Sequence, residues 1–255
     1  MIPFLQADNL MFLPHGFFTR QGGVSAGTYE ALNTSFSSQD DPAKIAKNRE
    51  SIEAQLGVQA GHLLSCQQVH SADVVNVTEP WSAAHMPQAD ALVTKLAGVA
   101  LGILTADCAP VLLADKDAGV IGAAHAGWRG ALGGVIENTL LEMEKLGAQR
   151  RNICAAVGPC IGRASYEVED AFCAPFIAED RENTAFFKKA EKEKCLMFDL
   201  PSYVVQKLKC AGLENISPSP ADTCKDEAVF FSYRRSSLAG EKDTGRQLSV
   251  IVIPI

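Results

Sequence analysis

The 255-residue sequence lacks three features, each of which would indicate a particular class of protein. No apolar run is long enough to span a bilayer, which excludes a helical membrane protein. The N-terminal stretch MIPFLQADNL lacks the basic region and the long apolar region of a secretory signal peptide. Basic residues are in the minority, and the net charge of −7 disfavours binding to nucleic acid or to an anionic membrane surface. We therefore expect a cytoplasmic protein with no nucleic-acid partner and no membrane partner.

The eight cysteines include no pair spaced as CxxC. This absence excludes the ribbon and finger types of zinc site, which need closely spaced cysteine pairs. A chain of this length can bury a substantial core without disulfide staples, and in a reducing compartment cysteines persist as thiols or metal ligands. We therefore expect free thiols or ligands rather than a disulfide framework.

The sequence does contain a mixture of helix and strand patterns. A helix is predicted between Asp41, which can cap its start, and Gly57, which fits its end. Apolar residues recur on one face over residues 135–146 and predict a second helix. DAFCAPFIAED and DLPSYVVQKLKCAGL are typical of helices, whereas AVFFSYRRSS and QLSVIVIPI predict late strands. Because helices and strands do not alternate strictly, we predict an α+β fold with mixed sheets flanked by helices, in one domain over residues 1–255.

Three residues each follow a short apolar segment and precede small residues: His70 in QQVHSADV, Cys108 in TADCAPVLLAD and His125 in AAHAGWRG. This setting places each of them near the end of a strand, where side chains can converge on a pocket. Two imidazoles and a thiolate are good ligands for zinc, with a fourth position left for water or substrate, and copper accepts the same set. The gaps between the three are too long for a local metal motif, so spacing alone favours ordinary buried residues.

Other polar residues are suited to bind an anion or to transfer a proton. In TRQGGVS, the fork-shaped guanidinium of Arg20 and the backbone N–H groups of Gly22 and Gly23 can contact an anion, although a plain hairpin turn explains the same residues. Asp107 can orient a ligand or serve as a base, and a turn aspartate that binds its own backbone is the alternative. Arg129 is a further candidate for anion contacts, although most arginines are simply solvated.

Nine motifs occur in this order along the chain: TRQGGVS, QQVHSADV, ADALVT, TADCAPVLLAD, AAHAGWRG, GPCIG, SYEV, FFSYRR and TGRQLSVIVI. Together they closely resemble the YfiH family, also called the polyphenol oxidase or multicopper-laccase-like family. The block from TADC to HAGWRG is highly specific. In that family the matching His, Cys and His bind zinc, which implies that His70, Cys108 and His125 are the zinc ligands here. The resemblance also implies an α+β fold similar to the catalytic domain of cytotoxic necrotizing factor.

The resemblance further implies purine nucleoside phosphorylase activity on adenosine, inosine and methylthioadenosine, together with adenosine deaminase activity. The partners would be a purine nucleoside and phosphate, the cofactor Zn²⁺ or Cu²⁺, and the protein a monomer or a weak homodimer. We expect phosphate to be held by Arg20 with the amides of Gly22 and Gly23, and Arg129 to add a contact. For deamination, zinc would lower the pKa of a bound water to about 7, and Asp107 would carry the proton.

Three other function classes stay open. A metal-free Cys–His hydrolase would use Cys108 as nucleophile and His70 or His125 as base, which the fold resemblance to a cysteine deamidase permits. A copper-dependent polyphenol oxidase is the older description of the family, but the five histidines of the chain are few for a full multicopper cluster. A metal-binding protein without catalytic activity is the third class. Metal analysis combined with phosphate-dependent turnover would separate all of them.

Overall fold

The computed structural model describes residues 1–255 and places two large β-sheets face to face between layers of helices. The helices are α1 (Pro42–Leu56), α2 (Trp128–Gly133), α3 (Val135–Lys145), α4 (Ala174–Glu179), α5 (Leu200–Cys210) and α6 (Tyr233–Leu238). The strands are β1 (Phe4–Leu5), β2 (His15–Phe18), β3 (Leu63–Leu64), β4 (Val74–Asn76), β5 (Ala91–Thr94), β6 (Ala100–Thr105), β7 (Ala109–Asp115), β8 (Val120–Ala126), β9 (Ile153–Val157), β10 (Glu167–Glu169), β11 (Phe187–Lys189), β12 (Cys195–Phe198), β13 (Asn215–Pro218) and β14 (Gln247–Val252).

Both large sheets are mixed, as the predicted α+β fold requires. The first has six strands in the order β13-β9-β7-β8-β5-β4. Its outer pairs, β13 with β9 and β4 with β5, are parallel, and its central pairs are antiparallel. The second has five strands in the order β1-β2-β14-β6-β3, of which only β3 and β6 pair in parallel.

Side chains of the six-stranded sheet alternate between two hydrophobic layers. Leu112 packs with Ile103 and Ile251 of the five-stranded sheet, whereas Val111 and Leu113 belong to the layer formed with α3 and α5. The alternation follows from strand geometry, in which successive side chains point to opposite faces. Because both faces are covered, β7 and β8 are buried at every position and read in the sequence as nearly continuous apolar runs.

The predicted helices are present. The side chain of Asp41 accepts a hydrogen bond from the backbone N–H of Ala43 at the start of α1, and Gly57 ends the helix with a left-handed φ of 70°. Helix α3 covers most of the predicted residues 135–146, and α4 and α5 lie in the other two helical segments. None of the helices combines the length and the apolar character that are needed to cross a membrane.

One predicted strand is wrong. In the segment AVFFSYRRSS, residues 228–232 form no strand and the chain continues as α6. Ser232 caps the start of this helix and donates a hydrogen bond to Asp107. Phe230 and Phe231 are buried all the same, so the apolar pair that suggested a strand belongs to a buried loop.

A small third sheet, in the order β10-β12-β11, brings an aromatic cluster close to the end of the six-stranded sheet. Trp128 packs edge-on against Phe172, with ring centroids 4.8 Å apart. Tyr166 packs against Phe198 at 5.6 Å. These ring contacts restrict the orientations of Trp128 and Tyr166. Both residues line the cavity described below.

Candidate metal centre

His70, Cys108 and His125 meet at one end of the six-stranded sheet. Cys108 directly precedes β7, His125 lies on β8 opposite Pro110, and His70 lies in the loop between β3 and β4. The ligand atoms of the three residues all lie within 4.8 Å of one another. Sγ of Cys108 is 3.9 Å from Nε2 of His70. The structure therefore brings together three residues that are far apart in the sequence.

A buried carboxylate orients the ring of His125. Nδ1 of His125 is 2.8 Å from Oδ1 of Asp90, which has no exposed surface. With the ring proton on Nδ1, Nε2 is left to face Cys108. Asp90 belongs to the motif ADALVT, to which the sequence assigned no chemical role. The available signal was a lone acidic residue directly before a buried strand.

The loop that carries His70 has an unusual backbone conformation. His70 has a φ of 60°, which is uncommon for a residue other than glycine. The backbone N–H groups of Val69, His70 and Ser71 donate to the carboxylate of Asp90 at 3.1, 3.0 and 2.7 Å. Backbone strain of this kind persists where the surrounding structure holds it, and here one carboxylate does so.

Asp107 ties the loop of Cys108 to the start of α6. Its carboxylate accepts hydrogen bonds from the hydroxyls of Thr223 at 2.7 Å and Ser232 at 2.9 Å, and from the backbone N–H of Arg234 at 2.6 Å. Burial raises the pKa of Asp107 in spite of these bonds. Both oxygens accept hydrogen bonds from within the fold, and Asp107 also lines the cavity described below.

Gly127 occupies a place where no side chain fits. A Cβ atom there would lie 2.9 Å from Sγ of Cys108 and 3.0 Å from Cδ2 of His70. The backbone φ of −66° is open to any residue, so space rather than conformation requires glycine. The backbone between β8 and α2 thus closes tightly against two of the three ligands.

The electrostatics favour a thiolate beside an imidazolium when no ion is bound. Burial alone would raise the pKa of Cys108, but the charge of His125 and hydrogen bonds from both histidines outweigh it and lower this pKa to about 6. Burial alone would lower the pKa of His125, but Cys108 and Asp90 raise it to about 9. Burial alone would raise the pKa of Asp90. The hydrogen bond from His125 stabilises the charged carboxylate and contributes to lowering this pKa to about 2.

The three donor atoms fit a zinc ion. Atoms no more than 4.8 Å apart all lie within about 2.8 Å of a common point, and zinc bonds to nitrogen and sulfur are about 2.0–2.3 Å long, so small shifts close the site. Two imidazoles and a thiolate leave a fourth position open, and copper accepts the same donors. No other group of His, Cys, Asp and Glu in the chain is arranged to hold a metal ion with three or more ligands.

A cavity of about 700 Å³ opens beside the three ligands, within the range of about 300–1,000 Å³ that is usual for small-molecule sites. Its walls combine apolar and aromatic side chains with three arginines. They include Leu104, Trp128, Ile161, Tyr166, Leu200 and Leu238, and the arginines Arg129, Arg234 and Arg246.

The three arginines of the cavity differ in what they already bind. The guanidinium of Arg129 is exposed and lies 4.9 Å above the ring of Trp128. Arg234 lies 5.3 Å from the ring of Tyr166 and donates from Nη1 to one carbonyl. Arg246 is paired with Asp243 at 2.7 Å. Arg129 and Arg234 therefore keep N–H groups for an anion, and Arg129 keeps the most.

Arg20, Gly22 and Gly23 do not line this cavity. Nε of Arg20 donates to the carbonyl of Glu30 and Nη1 to that of Glu227. A Cβ at Gly23 would lie 2.3 Å from a backbone oxygen, so this loop packs tightly against its own neighbours. The structure therefore places Arg20, Gly22 and Gly23 outside the cavity beside the three ligands, and of the residues expected to bind phosphate only Arg129 lines it.

The remaining histidines lie outside the centre. His15 is buried, and its two ring nitrogens contact the backbone N–H of Ala7 and the carbonyl of Leu13, both at 2.9 Å. Burial lowers its pKa. His62 and His85 belong to no cluster of potential ligands.

Comparison with known sequences gives a consistent result. The family described as multi-copper polyphenol oxidoreductase laccase matches residues 14–254. A Deinococcus radiodurans protein named purine nucleoside phosphorylase is 43% identical over 255 residues, covering 99% of this chain and 94% of the relative. A Streptomyces coelicolor protein of the same name is 39% identical, covering 92% of this chain and 95% of the relative.

Solved structures confirm the α+β fold. YlmD from Geobacillus stearothermophilus has a TM-score of 0.89 and 28% sequence identity, covering 100% of both chains. A Neisseria meningitidis protein assigned to family DUF152 has a TM-score of 0.86 and 32% identity, covering 99% of both chains. The likeness extends over the whole chain.

Proposed function

This chain belongs to the multi-copper polyphenol oxidoreductase laccase family, and from that premise we propose that it is a zinc-dependent purine nucleoside phosphorylase. It cleaves adenosine, inosine and methylthioadenosine with phosphate, and adenosine deamination is an accompanying activity. The relatives from D. radiodurans and S. coelicolor carry the name purine nucleoside phosphorylase. All eight cysteines are free thiols, which supports a reducing, cytoplasmic location.

One observation supports this proposal most directly. The cavity is lined by apolar and aromatic side chains together with the exposed Arg129, beside the cluster of His70, Cys108 and His125. The faces of a purine suit apolar walls, whereas phosphate needs cationic donors. This combination of lining residues suits the two reactants of phosphorolysis, a purine nucleoside and phosphate.

Phosphorolysis requires phosphate to be held beneath C1′ of the ribose while the purine leaves, which is a matter of orientation. Arg129 and Arg234 hold phosphate through charge-assisted hydrogen bonds. Stacking on Trp128 and Tyr166 restricts their guanidinium groups beforehand, so less conformational entropy is lost on binding. Leu200 contributes to the wall that keeps water from the purine.

His70, Cys108 and His125 would hold the metal ion. Zinc in that position supplies a Lewis acid for an oxygen of the reactants, and the same ligands accept copper. Asp90 keeps the proton of His125 on Nδ1, and Asp107 holds Cys108 in place. Asp90 does not line the cavity and Asp107 does, and we infer that both carboxylates act by supporting the ligands.

A metal-free Cys–His hydrolase is the second candidate, because one arrangement favours it. Cys108 has a lowered pKa beside His125, and His125 is oriented by Asp90 at 2.8 Å. A nucleophile, a base and an orienting carboxylate are the parts of a covalent catalyst. A multicopper oxidase has no such support, since the chain contains a single three-ligand cluster. A phenol assay of copper-loaded protein tests the remaining single-copper alternative.

Turnover of adenosine with and without phosphate tests the proposal, with the products identified by chromatography. Adenine and ribose 1-phosphate, formed only with phosphate, are the expected main products, and inosine formed without phosphate would report the deaminase activity. The same assays after chelation and after addition of zinc or copper identify the ion. Failure to convert adenosine or inosine in zinc-loaded protein would reject the proposal.

A further inference from the structure

Asp90 contacts two of the three proposed ligands without belonging to the ligand set. We propose that Asp90 is the positioning residue that assembles the metal centre: its carboxylate fixes the ring of His125 and the backbone of His70 at the same time. The proposal rests on the metal site of the proposed function, but it does not depend on which reaction that site performs.

One oxygen of Asp90 contacts both ligands, and the other contacts the residues on either side of His70. Oδ1 accepts from Nδ1–H of His125 at 2.8 Å and from the backbone N–H of His70 at 3.0 Å. Oδ2 accepts from the backbone N–H of Val69 at 3.1 Å, and from the backbone N–H and the hydroxyl of Ser71 at 2.7 and 3.0 Å. These donors occupy the acceptor capacity of one carboxylate, so Asp90 has no further ligand to bind.

The contacts of the Asp90 carboxylate complete a junction that backbone hydrogen bonds on both sides of the His70 loop, to Gln67 and to Asp73, already begin. His125 lies on β8, whereas His70 lies in a loop and has a left-handed backbone. Asp90 directly precedes β5, which pairs with β8, and the backbone N–H of His125 also donates to the carbonyl of Asp90 at 2.7 Å. The sheet therefore places the carboxylate beside His125, and the carboxylate fixes the backbone at the tip of the His70 loop.

An amide cannot replace this carboxylate in either orientation, so Asp90→Asn should disturb the centre. If the NH₂ group of the amide took the place of Oδ1, it would face Nδ1 of His125 as a donor. The imidazole proton would then move to Nε2, the atom that faces the other ligands. If the NH₂ group took the place of Oδ2, the N–H groups of Val69 and Ser71 would lose their acceptor, and the loop of His70 would loosen.

Asp115 provides a matched control. It is 1% exposed and stands at the other end of β7 from Cys108. Its carboxylate accepts from the backbone N–H groups of Asp117, Ala118 and Gln149, and it touches none of the proposed ligands. Asp115→Asn therefore disturbs a buried carboxylate that holds backbone amides, as Asp90→Asn does, but away from the centre.

The experiment compares Asp90→Asn, Asp115→Asn and the wild type as full-length proteins. Zinc affinity is measured by competition with a chromophoric chelator, and the absorption spectrum of the cobalt-substituted protein reports ligand geometry. Outer partners of metal-binding histidines typically change metal affinity by about 10–100-fold, and we expect a loss of that size for Asp90→Asn with an altered cobalt spectrum. Asp115→Asn should lower the melting temperature but leave affinity and spectrum unchanged.

The outcomes separate this proposal from the proposed function. A wild type that binds no zinc would remove the metal site itself. A folded Asp90→Asn protein with wild-type affinity and spectrum would overturn the role of Asp90 alone, whatever the nucleoside assays show. Should Asp90→Asn not fold, ¹⁵N NMR of the imidazoles in the zinc-loaded wild type decides instead. A proton on Nδ1 of His125 is expected, and a proton on Nε2 would overturn the proposal.

Discussion

The segments AGWRG and RQGGV look alike in the sequence but have different partners in the fold. Each contains a glycine with no room for a Cβ atom, Gly127 in the first and Gly23 in the second. Each contains an arginine stacked on an aromatic ring, Arg129 at 4.9 Å and Arg20 at 4.6 Å. The difference lies in what surrounds them: side chains of the metal centre and a cavity in the first case, and backbone in the second.

The comparison shows that an arginine beside glycines does not by itself make an anion site. A Cβ at Gly127 would meet Sγ of Cys108, whereas a Cβ at Gly23 would meet the backbone of Ala31 and Leu32. Gly127 is therefore required for close packing against the metal centre, whereas Gly23 is required for close packing within a loop. The predictions below test this division, beginning with the largest expected effect.

The largest effect should come from the thiol beside Gly127. A serine hydroxyl is a much poorer zinc ligand than a thiolate, so Cys108→Ser should lose bound zinc and with it about 10³-fold or more of the phosphorolysis rate, because metal-bound Lewis acids supply several kcal/mol. Zinc content measured by atomic absorption and turnover of adenosine should fall together. Chelation of the wild type should reproduce the variant, and zinc should restore the chelated protein.

The control for that prediction is Cys210→Ser, which changes an exposed thiol of α5 and should alter neither quantity. If chelated wild type kept full activity while Cys108→Ser lost it, Cys108 would be a nucleophile rather than a ligand. A thiol-directed reagent would then inactivate the chelated protein.

Zinc binding at the AGWRG segment should depend on pH through His125. Its pKa is raised to about 9 and that of Cys108 is lowered to about 6, so between these values the metal-free centre holds a thiolate and an imidazolium. Zinc must displace one proton, from His125, and affinity should rise about tenfold per pH unit towards pH 9. Below pH 6 a second proton, from Cys108, makes the dependence steeper.

Calorimetric titration at pH 7.5 in two buffers of different ionisation enthalpy measures this proton release directly. Between one and two protons per zinc are expected, one from His125 and up to one from a zinc-bound water with a pKa of about 7. Release of more than two protons would mean that Cys108 is a thiol in the metal-free protein, and release of less than one would mean that His125 is already neutral. In either case the charge pair described above would be wrong.

Substitution of the two glycines by alanine should affect two different properties, zinc affinity for Gly127 and the stability of the fold for Gly23. Gly127→Ala should lower zinc affinity by about 10–100-fold, the range found for groups that orient metal ligands, with a smaller change in melting temperature. Gly23→Ala should destabilise the fold by about 1–3 kcal/mol, since an added methyl group overpacks a closed loop, and should leave zinc affinity unchanged. Urea unfolding and zinc competition measure both effects in both variants. A loss of zinc affinity in Gly23→Ala, or a loss of stability alone in Gly127→Ala, would contradict the prediction.

Local patterns predict local structure well, and this is why the ends of α1 were found. Asp41 and Gly57 act on neighbouring residues, and their roles follow from residue type alone. The three ligands were recognised from motifs, not from spacing. The partners of Asp107 could not be predicted, because Ser232 lies 125 residues away in the sequence.

The same limit explains Asp90 and Arg20. The role of Asp90 depends on the pairing of β5 with β8, and no local sequence pattern predicts that pairing. The anion-binding potential of Arg20 is visible locally, but the carbonyl of Glu227 to which its Nη1 donates is 207 residues away. Residue type indicates what a side chain can bind, and only the fold decides which partner reaches it first.

The smallest and most selective effect should separate the two arginines. Arg129→Ala should raise the KM for phosphate about tenfold, since a hydrogen bond to a charged group contributes about 1.5 kcal/mol or more, and should leave zinc content unchanged. Arg129→Lys should recover only part of the loss, because an ammonium lacks the planar two-point fork. Arg20→Ala should leave the KM for phosphate at the wild-type value and lower the melting temperature instead, since its guanidinium holds the carbonyls of Glu30 and Glu227. Steady-state kinetics with phosphate as the varied substrate, together with thermal melts, measure both quantities. A raised KM for phosphate in a well-folded Arg20→Ala protein would return phosphate binding to the RQGGV segment, and the distinction between the two segments would fail.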